Sequence, residues 1–170
     1  MLKRFCNTYF KPDKIYKDVS EIDFLELKTK NIRGIILDLD DTLLPSDSKS
    51  NIEHIDEWLT KAKEDFYLFV LSNNRKHSYV KNFCDKFQIP FIAKARKPRR
   101  KFLKQALNQM NLKQDEVVII GDRLITDILV GKRLGTKTFL VKPLTKRPSI
   151  PQRTIYLIEK FIMNRFPSSI

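Results

Sequence analysis

Cysteine is almost missing from this chain. Its two cysteines, Cys6 and Cys84, form no CxxC pair and no zinc-ligand spacing, which excludes a disulfide framework and a zinc module. Reduced thiols in a cytosol-like compartment are the expectation. Long apolar runs are also missing: none approaches the roughly 18 residues that a membrane-spanning helix needs. The basic opening Met1–Phe10 has no apolar stretch of the secretory kind, so no secretory signal is expected. There is no internal repeat and no low-complexity linker. Acidic residues are scarce beside basic ones, 20 against 33, leaving a net charge of +13 over 170 residues. Such an excess points to an anionic partner: nucleic acid, a membrane surface or a phosphorylated substrate.

What is present suits one folded domain spanning residues 1–170. Hydrophobic residues make up 42% and aromatics 11%, which excludes intrinsic disorder. A domain of this length buries roughly 70% of the surface its unfolded chain exposes, so it needs no metal or disulfide staple. Ser20 with Asp23 predicts a helix N-cap ahead of Ile22, Phe24 and Leu25. Ile32–Leu39 is a nearly continuous apolar run, as in a strand buried on both faces. Ser50 and Glu53 predict a capping box opening a helix with Ile52, Ile55, Trp58, Leu59 and Ala62 on its apolar side. Phe66–Leu71, Phe91–Ala93, Val117–Ile120 and Thr138–Val141 are the further strands. Between them lie helical patterns: one carrying Tyr79, Val80, Phe83, Cys84 and Phe87, one beginning at Pro98, and one over Ile125–Leu134. The alternation predicts an α/β fold, a three-layer, doubly wound parallel sheet of about five strands without a cap domain. The arm and helix 1–31 precede this core (32–141), and a tail (142–170) with a last helix over Thr154–Phe166 follows it.

Ligands of such sheets bind beyond the carboxyl ends of the strands, and four of these ends carry polar residues. The first ends in Asp38-Leu39-Asp40-Asp41-Thr42. Side chains alternate along a strand, so Asp38 and Asp40 share a side while Leu39 points away. Two carboxylates brought together need a cation or a shared proton. Ser72-Asn73-Asn74 ends the second strand, Lys97 follows the third, and Gly121-Asp122 ends the fourth with Asp127 beyond. Taken singly, each has an ordinary reading as a turn former, a helix cap, a loop or one charge in a basic run. Their order at successive strand ends is what argues for chemistry.

In these residues the chain resembles the haloacid-dehalogenase superfamily of phosphohydrolases, over roughly Ile32 to Val141. The first motif is Asp38–Thr42, the second Ser72, the third Lys97, and the fourth runs from Gly121-Asp122 through Asp127. The resemblance implies that Asp38 is a nucleophile giving an aspartyl-phosphate, and that Asp40 is the general acid and then base. It implies Mg²⁺ held by Asp38, Asp122 and the backbone carbonyl of Asp40, with Asp127 as a further ligand through water or as an orienter of Lys97. Ser72, Asn73 and Thr42 would contact the phosphoryl group, and Lys97 would balance its charge.

The intervals Thr42–Ser72 and Ser72–Lys97 each fit one helix and one strand, leaving no room for an inserted cap. An uncapped site favours a substrate that covers it, either a macromolecule or a lipid head group at a membrane. The continuation Leu43-Leu44-Pro45, the run Ala95–Pro98 and the segment Gly121–Gly135 together look like the YqeG-type phosphatidylglycerophosphatase family, with Asp41 standing where that family often has Asn. The resemblance implies hydrolysis of phosphatidylglycerophosphate to phosphatidylglycerol, by a protein peripherally bound to the membrane in the cytoplasm or an organelle matrix or stroma. The alternative is a nucleotide or polynucleotide phosphatase, against which stands the lack of an interleaved aromatic platform.

Seven of the eleven residues from Lys94 to Lys104 are Lys or Arg. Arg99, Arg100 and Lys101 fall in the first turn of a helix, where the macrodipole disfavours cations by about 0.3–1 kcal/mol each. Charge placed there against local stability suits attraction to anionic lipid; a solvated face is the plainer reading. At the two ends, Ile155, Ile158, Phe161, Ile162 and Phe166, flanked by Arg153, Lys160 and Arg165, and the arm residues Phe5, Tyr9 and Phe10 beside Lys3, Arg4 and Lys11, suit either packing on the core or lying in a bilayer interface.

Overall fold

In the computed structural model, which describes residues 2–45, 52–145, 157–159 and 161–163 with side chains from Cys6 onward, strands and helices alternate along the chain. In order they are α1 (Leu2–Tyr9), β1 (Lys14–Tyr16), α2 (Phe24–Thr29), β2 (Gly34–Leu37), α3 (Glu53–Asp65), β3 (Tyr67–Leu71), α4 (His77–Phe87) and β4 (Phe91–Ile92). Then come α5 (Arg100–Met110), β5 (Val117–Gly121), a π-helical turn at Leu124–Ile128, α6 (Leu129–Leu134) and β6 (Lys137–Val141). Residues 157–159 and 161–163 are helical.

The six strands form one parallel sheet in the order β1-β6-β5-β2-β3-β4. Every residue of β2 is buried, and its side chains divide between two faces. Ile35 and Leu37 enter the cluster that contains Ile55, Trp58 and Leu59 of α3 and Val80 and Phe83 of α4. Ile36 enters the cluster built on Leu103, Ala106 and Leu107 of α5 and Val130 of α6. The period of two thus feeds both helical layers, and each fully buried aliphatic side chain contributes roughly 1.5–3 kcal/mol. Gly131 lets α6 sit close on the sheet: a Cβ there would fall 2.4 Å from Thr138 Cγ2 and 2.5 Å from Ile119 Cγ2.

Three expectations change. The sheet has six strands because β1 pairs with β6, Lys14 opposite Phe139 and Tyr16 opposite Val141; three residues are too few for a readable alternation. Asp13 secures that edge by accepting from Thr138 N–H at 2.8 Å and Thr138 Oγ at 3.0 Å. Ser20 is not the cap of α2. It lies in a 3₁₀ turn capped by Asp18, and Asp23 caps α2 by accepting from Leu25 N–H at 2.9 Å. The helix expected over Ile125–Leu134 opens instead as the π turn. Between Ser72 and Lys97 lie α4 and β4 alone, and among the described residues between Thr42 and Ser72 lie α3 and β3. Ser50, Arg153, Thr154, Ile155, Arg165 and Phe166 lie outside the described residues, as do the side chains of Lys3, Arg4, Phe5 and Lys160. Cys6 and Cys84 are free, buried thiols.

Candidate active site

The carboxyl ends of β2, β3 and β5 lie side by side, so the residues following them meet in one place. Asp38 continues the ladder, donating its N–H to Ile120 O at 2.9 Å. Leu39 is fully buried on the other side, which leaves Asp38 and Asp40 facing a cleft of about 320 Å³ that Asn73, Asn74, Lys97 and Arg123 also line.

Lys97 is the electrostatic centre. Its Nζ lies 2.7 Å from Asp38 Oδ1 and 2.6 Å from Asp127 Oδ1, and all three side chains are almost wholly buried. Asp122 joins them: one carboxylate oxygen each from Asp38, Asp122 and Asp127 fall within 4.8 Å of one another. Burial, opposed by Lys97 and aided by the charge of Asp127, pushes the Asp38 carboxyl upward. Burial, then the charges of Asp38 and Asp127, push Asp122 well above the carboxylate range. Burial opposes the charge on Lys97, but Asp127 and Asp38 more than offset it and raise its pKa. With all three carboxyls ionised, as binding a cation requires, the one ammonium would leave two negative charges. Asp122 Oδ1 is buried without a hydrogen-bond partner among the described residues. That charge and that unpaired oxygen fit a divalent cation with oxygen ligands.

Asp40 has different surroundings. It is half-buried, accepting from Ser72 Oγ at 3.3 Å and from Asn74 Nδ2 at 3.1 and 3.2 Å. Tyr79 also reaches it; burial, then the charge and hydrogen bond of Asp40, push the phenol up to about 12. Asp40 is therefore held in place while keeping access to the cleft, as a proton-transfer group needs.

The other residues singled out in the sequence divide in two. Thr42 is fully buried, and its Oγ has no partner among the described residues. Ser72 and Asn73 bond their neighbours in the site. Ser72 Oγ, besides donating to Asp40, accepts from Asn74 N–H at 3.0 Å. Asn73 grips the backbone of Lys97 from both sides, accepting its N–H at 2.7 Å and donating to its carbonyl at 3.2 Å. Asp127 Oδ2 accepts from Arg123 N–H at 3.2 Å and Thr126 Oγ at 3.1 Å. Sequence reasoning leaves Asn74, Tyr79 and Arg123 out of the site. Asn74 reads as part of an ordinary loop, Tyr79 as one more member of an apolar stripe, and Arg123 as one cation among many.

Comparison with known proteins agrees with this geometry. Residues 35–95 match the family described as haloacid dehalogenase-like hydrolase, and residues 94–150 match the HAD-hydrolase-like family. A Bacillus subtilis (strain 168) protein named "Probable phosphatase YqeG" is 37% identical over 164 residues, which are 96% of this chain and 93% of that one. The chain belongs to the haloacid-dehalogenase-like hydrolases. The glyceraldehyde 3-phosphate phosphatase of Pyrococcus furiosus is 36% identical over 61 residues, 36% of this chain and 25% of that enzyme. A crystal structure of an uncharacterized protein from Listeria monocytogenes serotype 4b superposes with a TM-score of 0.54 at 18% identity, over 76% of this chain and 99% of that one. A HAD family enzyme from Bacteroides thetaiotaomicron, in complex with magnesium and inorganic phosphate, gives 0.52 at 14% identity, over 71% and 98%. These two share the haloacid-dehalogenase-like fold.

Proposed function

We propose that this hydrolase is a Mg²⁺-dependent phosphomonoesterase that works through an aspartyl-phosphate on Asp38 and acts on phosphatidylglycerophosphate. The observation that carries the chemistry is the buried Lys97 joining Asp38 to Asp127 at 2.7 and 2.6 Å, with Asp40 across the same cleft. Asp38 attacks phosphorus, and its new O–P bond forms as the bond to the leaving oxygen breaks. Asp40 gives its proton to that oxygen. It then takes a proton from the water that attacks the aspartyl-phosphate and restores Asp38. Lys97 holds the Asp38 carboxylate in place and offsets charge on the transferring group. Ser72 and Asn73 would contact the phosphoryl oxygens as well as holding Asp40 and Lys97, and Thr42, fully buried, is the third residue assigned to that group. Asp38, Asp122 and Asp127, with the Asp40 carbonyl, would hold Mg²⁺. Bound there, the ion would neutralise the carboxylates and the phosphoryl oxygens.

The lipid substrate is supported by the uncapped cleft, by the likeness to YqeG along nearly the whole chain and by surface charge. Of the seven cations between Lys94 and Lys104, Lys97 turns inward and the other six are exposed. Leu157, Ile158 and Phe161 are also exposed, and among the described residues no helix is long and apolar enough to cross a membrane. Contact with the bilayer would therefore be peripheral, at its anionic surface. The deciding experiment measures phosphate release with Mg²⁺ from vesicle-borne phosphatidylglycerophosphate, nucleoside monophosphates and 5′-phosphorylated oligonucleotides. Turnover of the lipid at least tenfold above the others is the expected result. Preference for nucleotides or oligonucleotides would overturn the lipid assignment, and release in excess EDTA would overturn the mechanism.

A further inference from the structure

The π-helical turn Leu124–Ile128 carries Asp127, and its N-cap residue offers it no side-chain acceptor. Arg123 occupies the N-cap position without a side-chain hydrogen bond, so the first N–H groups of the turn need partners from elsewhere. One partner comes from 34 residues away. Glu159, in the helical stretch 157–159, accepts the Ile125 N–H on Oε1 at 3.1 Å. The half-buried carboxyl lies against this turn. Burial, aided by the charge of Asp127, pushes it upward, against the opposing pull of the Ile125 and Leu124 N–H groups and of Arg123. The same turn fixes Asp127 through Arg123 N–H and Thr126 Oγ. Ile162 and Met163 follow Glu159 onto the core, packing with Phe10 against Leu124, Ile128 and Leu140. The tail thus touches the metal-binding turn by one polar grip and one apolar anchor.

We infer that Glu159 is a positioning residue for the metal site: by capping the Leu124–Ile128 turn it holds Asp127 where it shares a cation with Asp38 and Asp122. The inference rests on the proposed cation site. Groups that orient metal ligands typically govern affinity by 10–100-fold, and Glu159 does so through backbone, one turn removed from the ligand. The tail that bears it also presents Leu157, Ile158 and Phe161 to solvent at 63%, 47% and 58% exposure, so whatever seats the tail also seats the turn.

The test titrates Mg²⁺ into the full chain by calorimetry without substrate, alongside amide hydrogen exchange at Ile125. Glu159→Gln keeps a carbonyl oxygen that can accept the Ile125 N–H and should bind Mg²⁺ within about threefold of wild type. Glu159→Asp keeps the charge but is one methylene too short, and Glu159→Ala removes the acceptor. Both should weaken Mg²⁺ binding about tenfold or more and speed exchange at Ile125. If Glu159→Ala does not fold, the Gln and Asp variants decide. Tight binding in Asp with weak binding in Gln would make the effect one of charge and overturn the inference, as would wild-type affinity in all variants. Wild-type protein that binds no Mg²⁺ would defeat the cation site itself, a distinct outcome.

Discussion

Gly121 lies directly beneath Asp127. A Cβ on residue 121 would fall 2.4 Å from Asp127 Cγ and 2.5 Å from its Oδ2, closer than any side chain can tolerate. The last residue of β5 therefore has no side chain so that a carboxylate from the next turn can reach Lys97. Gly121→Ala should push Asp127 off Lys97. The expected outcome is a loss of about 1–3 kcal/mol of stability from overpacking and at least a tenfold rise in the Mg²⁺ concentration that half-saturates phosphate release. Thermal unfolding and a Mg²⁺ titration check both, and an unchanged Mg²⁺ requirement would refute the role given to Asp127.

Asp38→Asn should abolish turnover, by roughly 10⁴-fold or more, because an amide cannot accept the phosphoryl group. The fold should survive. The substitution removes one of three crowded buried carboxyls, and Lys97 keeps Asp127 at 2.6 Å. Phosphate release is measured beside the thermal midpoint, and wild-type-like release from a folded variant would sink the nucleophile assignment.

Much of this molecule is legible in its sequence. Asp38 and Asp122 are readable because each ends a run of buried aliphatics, Lys97 and Asp127 because they follow strands of the same sheet, and strand ends of a parallel sheet converge on one side. What escapes reading is carried by short segments or by backbone. Lys14–Tyr16 pairs with β6 at the sheet edge, where tertiary contact replaces intrinsic pattern. Ser72 and Asn73 are legible as polar residues at a strand end, but their bonds to Asp40 and to the Lys97 backbone are not. Tyr79 falls in register with Val80 and Phe83 and so passes for core. Only the position of Asp40 shows that its hydroxyl end is used.

That edge strand leads to a pH-dependent expectation. Burial works against the charge on Asp13, but hydrogen bonds from Lys132 and Thr138 outweigh it and lower the pKa. A carboxyl whose folded pKa is depressed adds stability above its unfolded value, about 3.9, and loses it as pH falls through the folded value. Asp13→Ala should therefore cost about 1–2 kcal/mol at pH 7, the roughly 1.5–3 kcal/mol of hydrogen bonds to a charged group reduced by solvent screening at this partly exposed edge. The gap to wild type should narrow below about pH 4. Urea unfolding at pH 7 and pH 3 measures both gaps, and equal gaps would mean that the ionised carboxylate does not secure β1.

The basic start of α5 offers a test in which stability and function should move in opposite directions. Arg99 is the N-cap and makes no side-chain cap bond, and the first turn holds no acid. Arg99, Arg100 and Lys101 are all exposed, and they follow Lys97 of the cleft almost at once. Replacing cations by acids in a first turn favours the helix by about 0.3–1 kcal/mol each. On the proposed lipid substrate, the same change would remove attraction to an anionic bilayer worth about 1 kcal/mol per residue. Arg100 also donates to Arg133 O at 3.4 Å, so the double variant Arg99→Glu/Lys101→Glu leaves that contact alone. Its thermal midpoint should equal or exceed that of wild type, and its hydrolysis of a small soluble phosphate ester should stay within about twofold. Hydrolysis of phosphatidylglycerophosphate in anionic vesicles should fall at least tenfold. The wild-type advantage on vesicles should itself shrink as salt rises, since exposed charges are screened over about 8 Å at physiological ionic strength. Equal losses on both substrates would mean that these cations serve the cleft rather than the membrane. A drop in the midpoint would mean that they serve the fold.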